Sequence, residues 1–164
     1  RFFSIFVPIS NKFIMMKFLK ILAAILIFAA PKSGFAQNLG DKLLGVYHAV
    51  EEGRESKIRF TREADGTYKG QIFWLKNPNN PDGTPKYDLK NKNAALRSVR
   101  ADQVVVVWGM TYDQEDNRWE GGRVYNPTSG KNYNCTISFE DEKTLKVRGS
   151  IGPVGLSRYW TKIE

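Results

Sequence analysis

Residues 119–133 read W-E-G-G-R-V-Y-N-P-T-S-G-K-N-Y and lay out a β-hairpin. Asn126-Pro127-Thr128-Ser129-Gly130 supplies the turn, because proline presets one backbone angle and glycine accepts dihedrals closed to other residues. Gly121 and Gly122 stand side by side within a strand-like stretch. Glycine there marks a bulge or a tight bend of the kind found at barrel corners. The pair is no phosphate loop, since the context is a strand and no helix start follows.

Working outward, the period of two persists. Tyr133, Cys135, Ile137 and Phe139 fall on one face and Asn132, Asn134, Thr136 and Ser138 on the other. Leu145 and Val147 alternate with Lys146 and Arg148, and Ile58 and Phe60 with Lys57 and Arg59. This is the pattern of half-buried antiparallel strands. About eight strands are expected, at 45–50, 56–62, 67–75, 103–112, 117–125, 131–139, 143–150 and 156–163. Closing such a meander removes its exposed edges. The reading is therefore all-β: one small antiparallel barrel over 44–163, with at most one short helix near 93–98. A barrel of this size holds either packed side chains or one small ligand.

Residues 76–93, K-N-P-N-N-P-D-G-T-P-K-Y-D-L-K-N-K-N, break the pattern with three prolines and five asparagines. A loop this long is functional or disordered more often than neutral. It reads either as a structural tie, held by Asp88 and Asn91 through Asx-type bonds, or as a lid over a barrel mouth. Asn91 or Asn93 is positioned to cap a short helix at 94–97.

The N-terminal part addresses compartment. Residues 16–36 carry Lys17 and Lys20, then the apolar run Ile21–Ala30, then Gly34 and Ala36 as small residues ahead of Gln37. That is the pattern of a secretory signal peptide. The apolar run is about half of the ~20 residues that span a bilayer, so no stable membrane span is expected after cleavage. Residues 1–15 are expected to lie outside the fold, and 37–43 to form a tail. The expected localisation is exported, either periplasmic or secreted.

Charge and titratable residues narrow the function. Of 25 basic residues five precede Gln37, while all 17 acidic ones follow it, leaving the remainder at net +3. Interspersed charge of that size is a solvated surface rather than a nucleic-acid footprint. His48 is the sole histidine and Cys135 the sole cysteine. They provide neither a triad nor the three or four ligands of a zinc site. No metal, cofactor or catalytic role is expected, and Cys135 reads as a small buried hydrophobe.

The ordered motifs G-V-Y at 45–47, G-Q-I-F-W-L at 70–75, D-L-K-N at 88–91, the 121–133 hairpin, L-K-V-R-G-S-I-G at 145–152 and R-Y-W-T-K at 158–162 resemble a bacterial family. It is the exported family catalogued as domain of unknown function 2147. The resemblance implies a lipocalin-like or fatty-acid-binding-protein-like barrel in the bacterial envelope, and no agreed activity. Such members show Gly-x-Trp in the first strand. Tyr47 stands here instead, implying a smaller or hydrogen-bonded plug at the barrel base.

Within that frame a binding module is the best reading. Strict alternation puts Trp119, Gly121, Arg123 and Tyr125 on one face. Facing inward, Arg123 would offer an anion partner between two aromatics; facing outward, the same residues form a surface cation–π ladder. Arg148 poses the same question, and its neighbours in register, Lys146 and Ser150, favour the outside. Arg148 or Arg158 is also placed to pack over Tyr47. Trp74 and Trp108 are expected in the core and along the pocket wall. The expected partner is a small hydrophobic or acidic amphipathic ligand. The alternatives are a solid-cored barrel that contacts another envelope protein and an enzyme without recognisable motif.

Overall fold

The computed structural model describes residues 38–164. The segments expected as an upstream extension and a signal peptide, 1–15 and 16–36, lie outside the described residues. Nine strands form one antiparallel sheet: β1 Gly45–Glu51, β2 Arg54–Arg62, β3 Tyr68–Leu75, β4 Val105–Asp113, β5 Arg118–Glu120, β6 Arg123–Asn126, β7 Lys131–Phe139, β8 Thr144–Ile151 and β9 Val154–Lys162. Consecutive strands pair, except that β5 and β6 each lie between β4 and β7; β3 pairs with β4 across the long loop, and β9 returns to β1. The sheet is closed, so every described strand is paired along both sides and no edge is left to template association.

Eight staves make the ring, because β5 and β6 together occupy one. The expected strand 117–125 is thus divided at the two glycines. Trp119 is opposite Ile137 and Val124 is opposite Tyr133, so five steps along one strand match four along its neighbour. That extra residue is a bulge, which bends the strand and inverts its side-chain parity. Gly121 takes φ +79°, and Gly122 is packed so tightly that an added β-carbon would collide with the Trp108 carbonyl oxygen.

One end of the barrel is filled. Residues Leu39–Leu43, read from sequence as part of a tail, form a 3-10 helix capped by the Asn38 side chain, which accepts from the Gly40 amide at 3.0 Å. Leu43 is fully buried. Three bonds fasten this plug to the wall: Trp119 Nε1–H donates to the Gly40 carbonyl (3.1 Å), Tyr47 Oη–H to the Leu43 carbonyl (2.9 Å), and Tyr68 Oη–H to Asp41 Oδ1 (2.8 Å). Tyr47 is thus a hydrogen-bonded aromatic at the barrel base, one of the two forms the resemblance implied. It meets Phe60 edge-on at 5.4 Å, and Trp119 meets Phe139 at 5.8 Å. Two further 3-10 turns, Ala94–Leu96 and Ala101–Gln103, lie in the long loop. The expectation of at most one helix is corrected to three such turns. The Asn93 side chain caps the first of the two, accepting from Ala95 N at 3.1 Å.

The glycine pair supplies a test. Gly122→Ala places a methyl into backbone and should cost about 2–4 kcal/mol, whereas Gly121→Ala meets mainly the left-handed backbone penalty of about 1–2 kcal/mol. Urea denaturation midpoints should fall in the order wild type, Gly121→Ala, Gly122→Ala.

Candidate functional site

Opposite the plug, the barrel opens into a cavity of about 930 Å³. Its walls are mainly apolar, with Ala49, Ile58, Ile72, Val106, Val124, Val147 and Trp160 among them. Space remains because several wall positions are small: Ala49 faces Trp160 across β1 and β9, and Gly149 lies beside Val124. The rim consists of the β1–β2, β6–β7 and β8–β9 turns together with residues of the 76–104 loop.

Two arginines line this cavity, Arg54 at the rim and Arg158 on the wall beside Trp160. The second is the better placed for a ligand, since Arg54 is already paired with Glu52 at 2.8 Å. Arg158 is opposite Val147, whose side chain is buried in the core, and it shares its face with Trp160. Glu51 lies beside it: Arg158 Nε is 3.7 Å from Glu51 Oε2, and Trp160 Nε1–H donates to Glu51 Oε1 at 3.0 Å. A second carboxylate, Glu52, is 3.8 Å from the guanidinium. Both ion pairs exceed direct hydrogen-bond length, so the guanidinium keeps donors for another acceptor. Four cationic residues border the cavity, Arg54, Lys86, Lys90 and Arg158, against the carboxylates Glu51 and Glu55 and, beside Arg54 and Arg158, Glu52. The local balance favours an anion.

The expected site residues separate. Trp119 is buried at the plugged end, whereas Tyr125 does line the cavity, with its hydroxyl bonded to Asp88 of the long loop. Arg123 is exposed, opposite Trp108 on β4, and donates to Asn134 Oδ1 at 2.5 Å. The single face proposed for Trp119, Arg123 and Tyr125 does not exist, because the bulge between them inverts the alternation. Arg148 is exposed and outward, as its neighbours indicated. Trp74 and Trp108 are also corrected: both are more than a third exposed, and Lys57 Nζ lies 5.2 Å from the Trp74 ring. Hydrophobic residue type had suggested the core, but their strands turn these indoles to the outside. The cation over Tyr47 is neither Arg148 nor Arg158. Lys162 Nζ takes that place, 5.7 Å from the ring centroid.

Arg158 and Glu51 were legible by parity. Arg158 alternates with Trp160, and Glu51 follows Tyr47 and Ala49 at steps of two.

The long loop is tied down. Asp88 is the one buried charged residue among the described residues. Its carboxylate accepts from Tyr125 Oη–H at 2.6 Å and Asn91 Nδ2–H at 2.8 Å. Burial, and after it the Asp88 carboxylate, pushes the Tyr125 phenol up, so it stays a donor. Lys90 Nζ donates to the Thr128 carbonyl at 2.7 Å. Gly130, at φ +68°, lies so close to Lys90 that an added β-carbon would collide with the Lys90 carbonyl oxygen.

A family model described as an uncharacterized protein conserved in bacteria (DUF2147) matches residues 45–162. The chain belongs to the DUF2147 family. Among solved structures the DUF2147 barrel is similar to protein HP1028 from Helicobacter pylori, described as belonging to the lipocalin family. The two are 25% identical with a TM-score of 0.58, over 74% of this chain and 83% of that one. No curated protein matches the chain.

Two expectations follow for this DUF2147 member. Tyr125→Phe deprives a buried carboxylate of a donor and should cost about 2–3 kcal/mol, read as a lower urea midpoint. Cys135 is buried, which pushes its thiol up to about 12. At pH 8 only about one molecule in ten thousand then carries a thiolate. An aromatic disulfide reagent should leave the native protein unlabelled and label it at once in denaturant.

Proposed function

We propose that this protein is an exported, non-catalytic carrier of a small acidic amphipathic molecule, held in the barrel with its head group at Arg158. The observation that carries the reading is the apolar cavity, about 930 Å³, open at one end and containing an arginine. Its volume lies within the range of small-molecule sites, roughly 300–1,000 Å³. A solid-cored barrel that acts only through protein contact would have no reason to keep such a space. The lipocalin-family likeness supports the same reading at the level of fold, and the leader-like residues 16–36 support export.

The energetics divide naturally. Burying an alkyl tail against Ile58, Ile72, Val106 and Val147 contributes roughly 0.8 kcal/mol per methylene. The guanidinium orients the head group, adding about 1.5–3 kcal/mol as a charge-assisted bond. Glu51 restrains the arginine before the ligand arrives, and the Trp160 indole holds Glu51 in turn. Arg123, on the outer face, has no part in this.

Titration with a long-chain fatty acid, followed by the fluorescence of cavity-lining Trp160, tests the proposal. Saturable binding is expected, weaker for the matching neutral alcohol. Arg158→Met should weaken the acid by roughly ten- to a hundredfold and barely alter the alcohol. Arg123→Met should change neither. Absence of saturable binding below about 100 µM, a free energy of only ~5.5 kcal/mol, would replace the carrier with a protein-contacting barrel.

A further inference from the structure

The cavity mouth carries apolar side chains that none of the described residues covers. Val154 is 76% exposed, Leu89 70% and Ile151 66%, and all three border the opening. They belong to two projections. One is the β8–β9 turn, with Ile151 and Val154 on either side of Gly152-Pro153. The other is K-Y-D-L-K at 86–90, where Asp88 turns in to Tyr125 while Tyr87 and Leu89 are left in solvent. The buried Asp88 bond thus fixes the apolar pair in its projecting position.

Lysines flank that pair. Lys86 Nζ donates to the Asn77 carbonyl at 2.9 Å and Lys90 Nζ to the Thr128 carbonyl. Neither has a carboxylate within ion-pair distance among the described residues, unlike Lys76, which is paired with Glu55. Long side chains carrying unneutralised ammonium groups beside exposed apolar residues suit an interface between hydrocarbon and negative charge. Scattered exposed hydrophobes need no explanation, but a group gathered around one opening and flanked by cations marks a contact surface.

We propose that this rim docks on the surface of an anionic phospholipid bilayer, with Leu89, Ile151 and Val154 entering the headgroup region and Lys86 and Lys90 at phosphate level. The choice of a bilayer rests on the two free lysines and on the rim's continuity with the cavity. A molecule leaving the membrane would pass from acyl chains into the apolar walls without crossing water. That purpose rests on the carrier reading, whereas the docking itself is tested without ligand.

Ligand-free protein is sedimented with phosphatidylglycerol vesicles and with phosphatidylcholine vesicles at low salt. Binding to the first and much weaker binding to the second are expected. Lys86→Gln with Lys90→Gln should lower partition to phosphatidylglycerol roughly 30-fold. Leu89→Ser with Val154→Ser should lower it at least about tenfold. Leu89, Lys90 and Val154 are exposed and Lys86 is half-buried, and far-ultraviolet circular dichroism verifies that the variants fold. Docking is read on ligand-free protein, so a failed fatty-acid titration beside intact docking would overturn only the carrier reading. Wild-type protein that stays in the supernatant overturns the docking proposal, and so does partition unaffected by the serine pair. A dimer in lipid-free sedimentation that the serine pair dissociates would also overturn it, by showing that a second copy covers the rim.

Discussion

The indole of Trp119 reaches across the end of the barrel to the Gly40 carbonyl, 79 positions earlier in the chain, and the rest of the architecture depends on that stopper. An indole buries about 200 Å², worth about 5 kcal/mol at ~25 cal/mol per Å². That gain requires a partner for the buried N–H, and the 3-10 turn at Leu39–Leu43 supplies it together with Leu43. Tyr47 and Tyr68 secure the same turn. With this end filled by aromatic rings, the opposite end need not be packed for stability. The small residues that leave it open, Ala49 and Gly149, are tolerable for that reason.

Much of the fold was legible in the sequence. Tyr133, Cys135, Ile137 and Phe139 alternate cleanly, and they do line one face of β7, opposite Leu145 and Val147 of β8. The turns were legible too, since Pro and Gly act through local backbone preferences. The site was less so. One inserted residue at Gly121-Gly122 displaces Arg123 from the face of Trp119, and alternation counted through a bulge cannot reveal this. Trp74 and Trp108 misled for another reason: residue type measures hydrophobicity, not direction, and a cation such as Lys57 makes an exposed indole tolerable. Leu43 was missed because a single turn of helix has too few residues to show a period. Arg158 was placed beside Trp160 by parity, yet only its pairing with Val147 turns that parity into a direction.

The two ends of the molecule divide the work. Around the base, polar atoms of buried aromatics are each matched to a fixed partner, and no buried side-chain nitrogen or oxygen among the described residues lacks one. At the mouth, Arg158 is held only by loose pairs, with Glu51 and Glu52. Loose pairs at partly exposed positions contribute little to stability, which leaves them free to rearrange toward an incoming group. Asp88 joins the two regimes: a rigid buried anion at the root of an otherwise exposed loop.

The return of β9 to β1 has a consequence in time. Tyr47 aligns with Lys162 and Ala49 with Trp160, and the Val46 amide donates to the carbonyl of Glu164 at the final position. Every other strand pairing joins neighbours in chain order, apart from the stave shared by β5 and β6. Loop closure over such a separation is the slow step in assembling a sheet. A chain emerging residue by residue from the ribosome therefore accumulates an open, curling meander. Its seam is sealed only once β9 appears, and a chain cut short within β9 would be left as a ribbon with two raw edges instead of a vessel.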